Sequence, residues 1–327
     1  MKHIIILLAI LALTLILTSC DDNITEPDNL AIGGRSYEWK IDTVLTDSYN
    51  GVFASDGKIL GSSFQLLWYL NANMGQLWKH SSGQWVRVNF MGFYPEYAVS
   101  LGNKLVVISQ DLRYCVFNGS TFDEARTMGV SGDIRIRGVW GNNTTEVYAV
   151  GYKYKNSIQT GVLLYYNGAG WSEIETGYVG SFAGIYKGSN SGILINYEST
   201  FDDSGILEFD GSGFIRIARR NYYHVVMLGG ELYFEEGNSV YKYKEGKIYF
   251  WKSFSSMSSP YIFGRSESDL FYMSSYGLLH YNGRDIAILY PLYSPALLDC
   301  KIIEGKVCFL IYNYGSQQVQ LITGTLK

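Results

Sequence analysis

The 327-residue sequence carries 26 Lys and Arg against 30 Asp and Glu, a formal net charge of −4. It has no basic stripe, which argues against a nucleic-acid partner. Tyrosine (28) and glycine (36) are frequent and proline (5) is scarce, and runs of helix formers are few. That composition favours many short strands joined by turns.

The chain opens "MKHIIILLAILALTLILTSC". Lys2 gives a short positive start, and residues 4–17 form an apolar run of signal-peptide length, too short for a membrane span. Leu17, Thr18 and Ser19 before Cys20 resemble the bacterial lipobox. The resemblance implies cleavage before Cys20 and lipid on that cysteine. Several acyl chains would be needed for firm anchoring, since one is marginal. Residues 1–19 then form a lipoprotein signal peptide and residues 20–34 a polar, flexible tether. Residues 35–327 are the folded domain. The expected location is the cell envelope, with the outer membrane or cell surface favoured and the periplasmic face as the alternative. Asp21 and Asp22 fit a retention signal or an export signal equally.

The domain begins with "RSYEWKIDTV" (35–44), an alternating strand with no hairpin partner of its own. A turn then recurs along the chain: "HSSGQW", "FNGSTF", "YNGAGW", "FDGSGF", "YKEGKIY", "YNGRDI" and a final "ITGTLK". One residue per copy gives Ser82, Gly119, Gly168, Gly211, Gly246, Gly283 and Gly324, and an aromatic or Ile follows three residues after six of these seven. Asn-Gly between apolar runs is a strong hairpin signal. Four strands repeated at about 40 residues mark a β-propeller blade. Strands such as "GVLLYY" are apolar at consecutive positions, as expected where both faces are covered.

The fold expectation is an all-β, seven-bladed β-propeller, with six or eight blades as alternatives. The boundaries are 45–90, 91–127, 128–176, 177–220, 221–254, 255–291, and 292–327 joined by 35–44. The N-terminal strand supplies the outer strand that the last copy lacks, which removes open sheet edges.

Val139-Trp140-Gly141, the run 147–151, the run 163–168 and Trp171 resemble the blade repeat of secreted bacterial β-propeller lipoproteins. Residues 263–264, 270–272 and 278–283 match in part. The resemblance implies a fold and a location, and brings no catalytic motif.

Few residues suggest chemistry. His80 and His280 fall in equivalent third strands, and His224 stands alone, so no metal site is assigned. Cys115 lies within a strand. Cys300 and Cys308 flank a hairpin around Glu304-Gly305, where buried free thiols are favoured over a disulfide. The carboxylate pairs in "FDDSG" (201–205) and "FEEG" (234–237) read as turn chemistry. No nucleophile motif, phosphate loop or cofactor is present.

On a propeller, loops entering the innermost strand and loops between second and third strands share one rim. The aromatic and basic loops 92–97, 152–157, 197–204, 219–224, 291–295 and 311–317 belong there. The candidate ligand-binding residues are Tyr94, Glu96, Lys153, Tyr154, Arg219, Arg220, Tyr222 and Tyr223. The functional expectation is a lipid-anchored, non-enzymatic binding or scaffold module for an envelope protein or polysaccharide. The alternative is a carbohydrate-active lyase or hydrolase with carboxylates in the central funnel.

Overall fold

In the computed structural model the short apolar runs pair into seven four-stranded antiparallel sheets, and no described residue is helical. The structure describes residues 37–45, 57–61, 67–72, 75–81, 84–88, 92–187, 192–199, 204–219, 224–254, 257–291, 296–313, 316 and 318–327. The expected signal peptide (1–19), Cys20 and the expected tether (20–34) lie outside them.

The first sheet is β2 (Gly57–Leu60), β3 (Trp68–Asn71), β4 (Gln76–Ser81) and β5 (Gln84–Val88). The second is β6 (Tyr97–Leu101), β7 (Lys104–Ile108), β8 (Arg113–Phe117) and β9 (Arg126–Thr127). The third is β10 (Ile134–Asn143), β11 (Glu146–Lys155), β12 (Ile158–Tyr166) and β13 (Trp171–Ile174). The fourth is β14 (Ser181–Lys187), β15 (Ile193–Glu198), β16 (Gly205–Phe209) and β17 (Phe214–Ala218). The fifth is β18 (His224–Leu228), β19 (Glu231–Glu236), β20 (Ser239–Lys244) and β21 (Lys247–Ser253). The sixth is β22 (Met257–Ser266), β23 (Asp269–Ser274), β24 (Gly277–Tyr281) and β25 (Ile286–Pro291). The seventh takes β26 (Ala296–Ile303), β27 (Lys306–Asn313) and β28 (Gln318–Leu326) from the C-terminus, and β1 (Tyr37–Leu45) from the opposite end of the domain. These are the seven blades the repeat predicts.

The sheets close into a ring. Inner strands of neighbouring blades touch, and β26 of the last blade meets β2 of the first. Seven apolar clusters fill the interfaces, each drawn from two adjacent blades. This stacking explains the unbroken apolar runs: every described residue of β3, β23 and β24 is buried. β1 pairs antiparallel with β28, from Tyr37 opposite Leu326 to Leu45 opposite Val319. Tyr37 packs into the interface between the sixth and seventh blades, and Val44 into the one between the seventh and first.

The recurring turn has one geometry in four blades. Asn118, Asn167, Asp210 and Asn282 each turn the side-chain oxygen back to accept the backbone N–H groups two and three residues on. The glycine next to each has positive φ, between 93° and 106°, which costs glycine little. This spacing sets Phe117 opposite Phe122, Tyr166 opposite Trp171, Phe209 opposite Phe214 and Tyr281 opposite Ile286.

Two copies depart from the expected turn. In the fifth blade Glu245 and Gly246 form a two-residue turn, both at positive φ (52° and 76°). Ile248 then faces Tyr243, and Tyr249 turns outward at 49% exposure. Gly324 is no turn at all. It lies inside β28, between Trp39 and Val307, and a Cβ there would meet the Trp39 ring at 2.4 Å. The first copy, at Ser82, lies outside the described residues.

Glu304 and Gly305 also form a two-residue turn, which offsets Cys300 (opposite Phe309) from Cys308 (opposite Lys301). Cys115, Cys300 and Cys308 are all free thiols.

Candidate functional site

The antiparallel order of each blade puts the loops after the fourth strand and between the second and third strands at one end of the ring. All six predicted loops fall in one of these two positions. The exposed large apolar side chains follow the same division. Tyr94, Tyr154, Ile158, Val179 and Tyr276 lie on this rim, with exposures from 39% to 75%. The other such side chains among the described residues sit on β1, β5, β17, β21 and β28. None lies in a hairpin turn of the opposite rim.

Tyr94 and Glu96 precede β6 and line a pocket of about 250 Å³ with Gln110, Asp111, Arg113 and Arg135. Arg113 holds the pocket together. Its Nε donates to Asp111 Oδ2 at 2.7 Å, its Nη1 donates to the Gly92 carbonyl, and its guanidinium covers the Phe93 ring. The Arg113 hydrogen bond keeps the Asp111 carboxyl below its usual range. Burial pushes the Glu96 carboxyl up, against the pull of Arg135. Tyr94 stands at the lip, its ring resting on Gly75 of the neighbouring blade.

Lys153 and Tyr154 stand beside this pocket, because β10 and β11 pair Ile134 with Lys153 and Arg135 with Tyr152. Tyr154 is exposed and meets Tyr152 edge to face. The Lys153 ammonium is engaged by Glu173 of the outer strand, so it positions the hairpin and is not a free cation. Arg219 is exposed at the entry to the fifth blade, away from this group. Arg220, Tyr222 and Tyr223 lie outside the described residues. Asp111, Arg113 and Arg135 are rim residues that the sequence reading missed. The signal was available, since 109–112 is a loop between second and third strands like those chosen.

A second concavity, of about 520 Å³, lies on the axis and is lined by inner strands of five blades. His224 belongs here and has a partner. Its Nδ1 lies 3.1 Å from Glu235 Oε1, which also accepts the Ile262 N–H at 2.7 Å. Glu235 is fully buried within β19, so the "FEEG" pair is strand and not turn at this residue. The "FDDSG" aspartates lie outside the described residues. Asp299 accepts the Ile59 N–H at 2.7 Å and the Cys300 N–H at 3.0 Å. Burial raises its carboxyl above the usual range, opposed by Lys58. Among the described residues no group of His, Cys, Asp and Glu is arranged to hold a metal ion.

The chain is a seven-bladed β-propeller with a polar pocket and an aromatic fringe on one rim and a charged axial concavity. No family model and no curated protein matches it. Among solved structures it is similar to YCF48 bound to a D1 peptide, with TM-score 0.58 and 10% identity, covering 90% of this chain and 99% of that one. It is likewise similar to YCF48 from Cyanidioschyzon merolae, at 0.58 and 10%, covering 87% and 98%. BBS1N in complex with ARL6DN aligns at 0.57 and 12%, covering 87% and 96%. At these identities the likeness shows the fold alone.

Proposed function

We propose that this protein is a lipid-anchored envelope module, tethered through Cys20, whose propeller binds a segment of a partner protein across the Tyr94–Tyr154 rim. One observation carries the reading: exposed aromatic and branched side chains collect in the loops of this rim and are missing from the described turns of the opposite one. Exposed apolar groups rimmed by polar residues mark interaction sites, and rigid tyrosines with fixed arginines nearby suit protein recognition. Two neighbours in fold are described with protein partners, YCF48 with a D1 peptide and BBS1N with ARL6DN, so the scaffold accommodates such a role. A tether of residues 20–34 would leave either rim free to turn outward.

The alternative is a carbohydrate-active enzyme in the funnel, supported by the buried Glu235 and the half-buried Asp299 near the axis. Asp299 has both oxygens on backbone N–H groups, and Glu235 has Oε1 on His224 and the Ile262 N–H with Oε2 sealed in the interior, which favours the binding reading.

Cross-linking in cells producing the full chain tests the proposal. A Tyr94→Ala, Tyr154→Ala and Tyr276→Ala triple variant should lose at least ten-fold of the captured partner, with its melting temperature unchanged. Ser212→Ala on the opposite rim should capture as the parent does. Equal capture by both variants would refute rim binding, and a mature N-terminal peptide that retains residues 1–19 would refute the anchor.

A further inference from the structure

The axial concavity holds two ammonium groups that have no close counter-ion among the described residues. Lys58 comes from β2 in the first blade and Lys301 from β26 in the seventh. Both are exposed to the concavity, and neither forms an ion pair among the described residues. Asp299 is the lining carboxylate that feels both. Its two oxygens accept the Ile59 and Cys300 N–H groups, and no ion pair joins it to either lysine. Behind the wall, Glu235 Oε1 is engaged by His224 and the Ile262 N–H. The lining residues thus set two ammonium groups, Lys58 and Lys301, against the single carboxylate of Asp299. Lys301 is reached by water yet surrounded by protein, and desolvation holds its ammonium below the usual range, opposed by Asp299. A cation so placed gains from a bound anion.

The size and walls of the concavity narrow the choice. About 520 Å³ is far more than an inorganic ion fills and is in the range of small organic ligands. Val226, Met227 and Phe263 give an apolar wall, and Tyr186 adds a ring. A net charge of about one, with Asp299 close by, disfavours a multiply charged anion such as phosphate.

We propose that the channel binds a small organic monocarboxylate with a ring-sized body, its carboxylate between Lys58 and Lys301 and its ring against Tyr186, Met227 and Phe263. Two sources share this chemistry, an acidic sugar and an aromatic acid. The site stands on channel residues alone and does not depend on the rim.

Calorimetric titration of the purified full chain with glucuronate and with phenylacetate tests it, with glucose and inorganic phosphate as controls. At least one acid should bind saturably, and whichever does identifies the source. Lys58→Met and Lys301→Met should each weaken that binding at least ten-fold. Bound acid should also protect Lys301 of the unmutated protein from acetylation, read by mass spectrometry, which keeps the test valid if a variant folds poorly. The proposal is overturned by no saturable binding of either acid, by phosphate or glucose binding as well, or by acetylation of Lys301 unaffected by the bound acid.

Discussion

Cys115 and Cys308 illustrate how blade stacking controls single side chains. Each lies on an inner or middle strand, 2% and 0% exposed, between two sheets. Burial pushes the Cys115 thiol up to about 12 and the Cys308 thiol up to about 11. At pH 8 a thiol of pKa about 12 is ionised in roughly one molecule in ten thousand. We therefore expect iodoacetamide to leave both unmodified in the folded protein and to label both in guanidinium, as read by mass spectrometry. Rapid labelling in the native state would show that the blades open. The unfolded thiols ionise at their ordinary value, while the folded ones hold their protons to about 12 and about 11. Stability should therefore decline with rising pH over that alkaline interval. The axial site shows which residue roles the sequence conceals. The pairing of His224 with Glu235 follows from a hairpin centred on Gly229 and Gly230, so that contact was legible. The tie between Asp299 and Ile59 was not, because it joins residues that meet only once the ring has closed.

The closing strand depends on one glycine and one tryptophan. Trp39 crosses β28 directly over Gly324 and packs against Tyr290 at 5.2 Å and Phe309 at 5.7 Å. The sequence offers Gly324 as another turn glycine, since a tight turn and a close crossing both select residues without a side chain. Position separates the two only when the pairing is known. The fifth blade is a related case. A turn shortened to two residues slips the register by one and reverses which face Tyr249 occupies, although the local sequence resembles the other copies. Blade number and rim loops survived such ambiguities because they depend on strand count, which the spacing of turns determines. Gly324→Val should force Trp39 off β28 and destabilise the protein by about 2 kcal/mol, the usual scale for overpacking. Trp39→Ala should be destabilising alone but should relieve the clash. The double variant should then be more stable than the sum of the single effects by over about 0.5 kcal/mol in denaturant titrations. Additive losses would remove Gly324 as the site of close approach.

Ring closure is a property of the assembled blades, and its energetics concentrate at the seventh. β1 contributes Tyr37 to one interface and Val44 to the next, so one strand joins three blades. Two further ties reinforce this seam. Arg265 of the sixth blade pairs with Asp269 at 2.6 Å and reaches the Gly305 carbonyl of the seventh, and Asp299 holds Ile59 of the first. Losing two buried side chains of this size costs about 1.5–3 kcal/mol each, and an exposed β28 edge invites pairing with another chain. The sum, about 5 kcal/mol, is a large part of the 5–15 kcal/mol that typically stabilises a protein. Removal of residues 1–45 should therefore lower the melting temperature by about 10 °C or more and produce dimers or larger species on size exclusion. Removal of residues 1–34, which leaves β1 in place, should do neither. The contrast is informative because both truncations eliminate residues 1–34, and only one opens the ring. If the two proteins melt together and remain monomeric, the seam between β1 and β28 is not what holds the blades in a circle, and the inter-blade clusters must close it unaided.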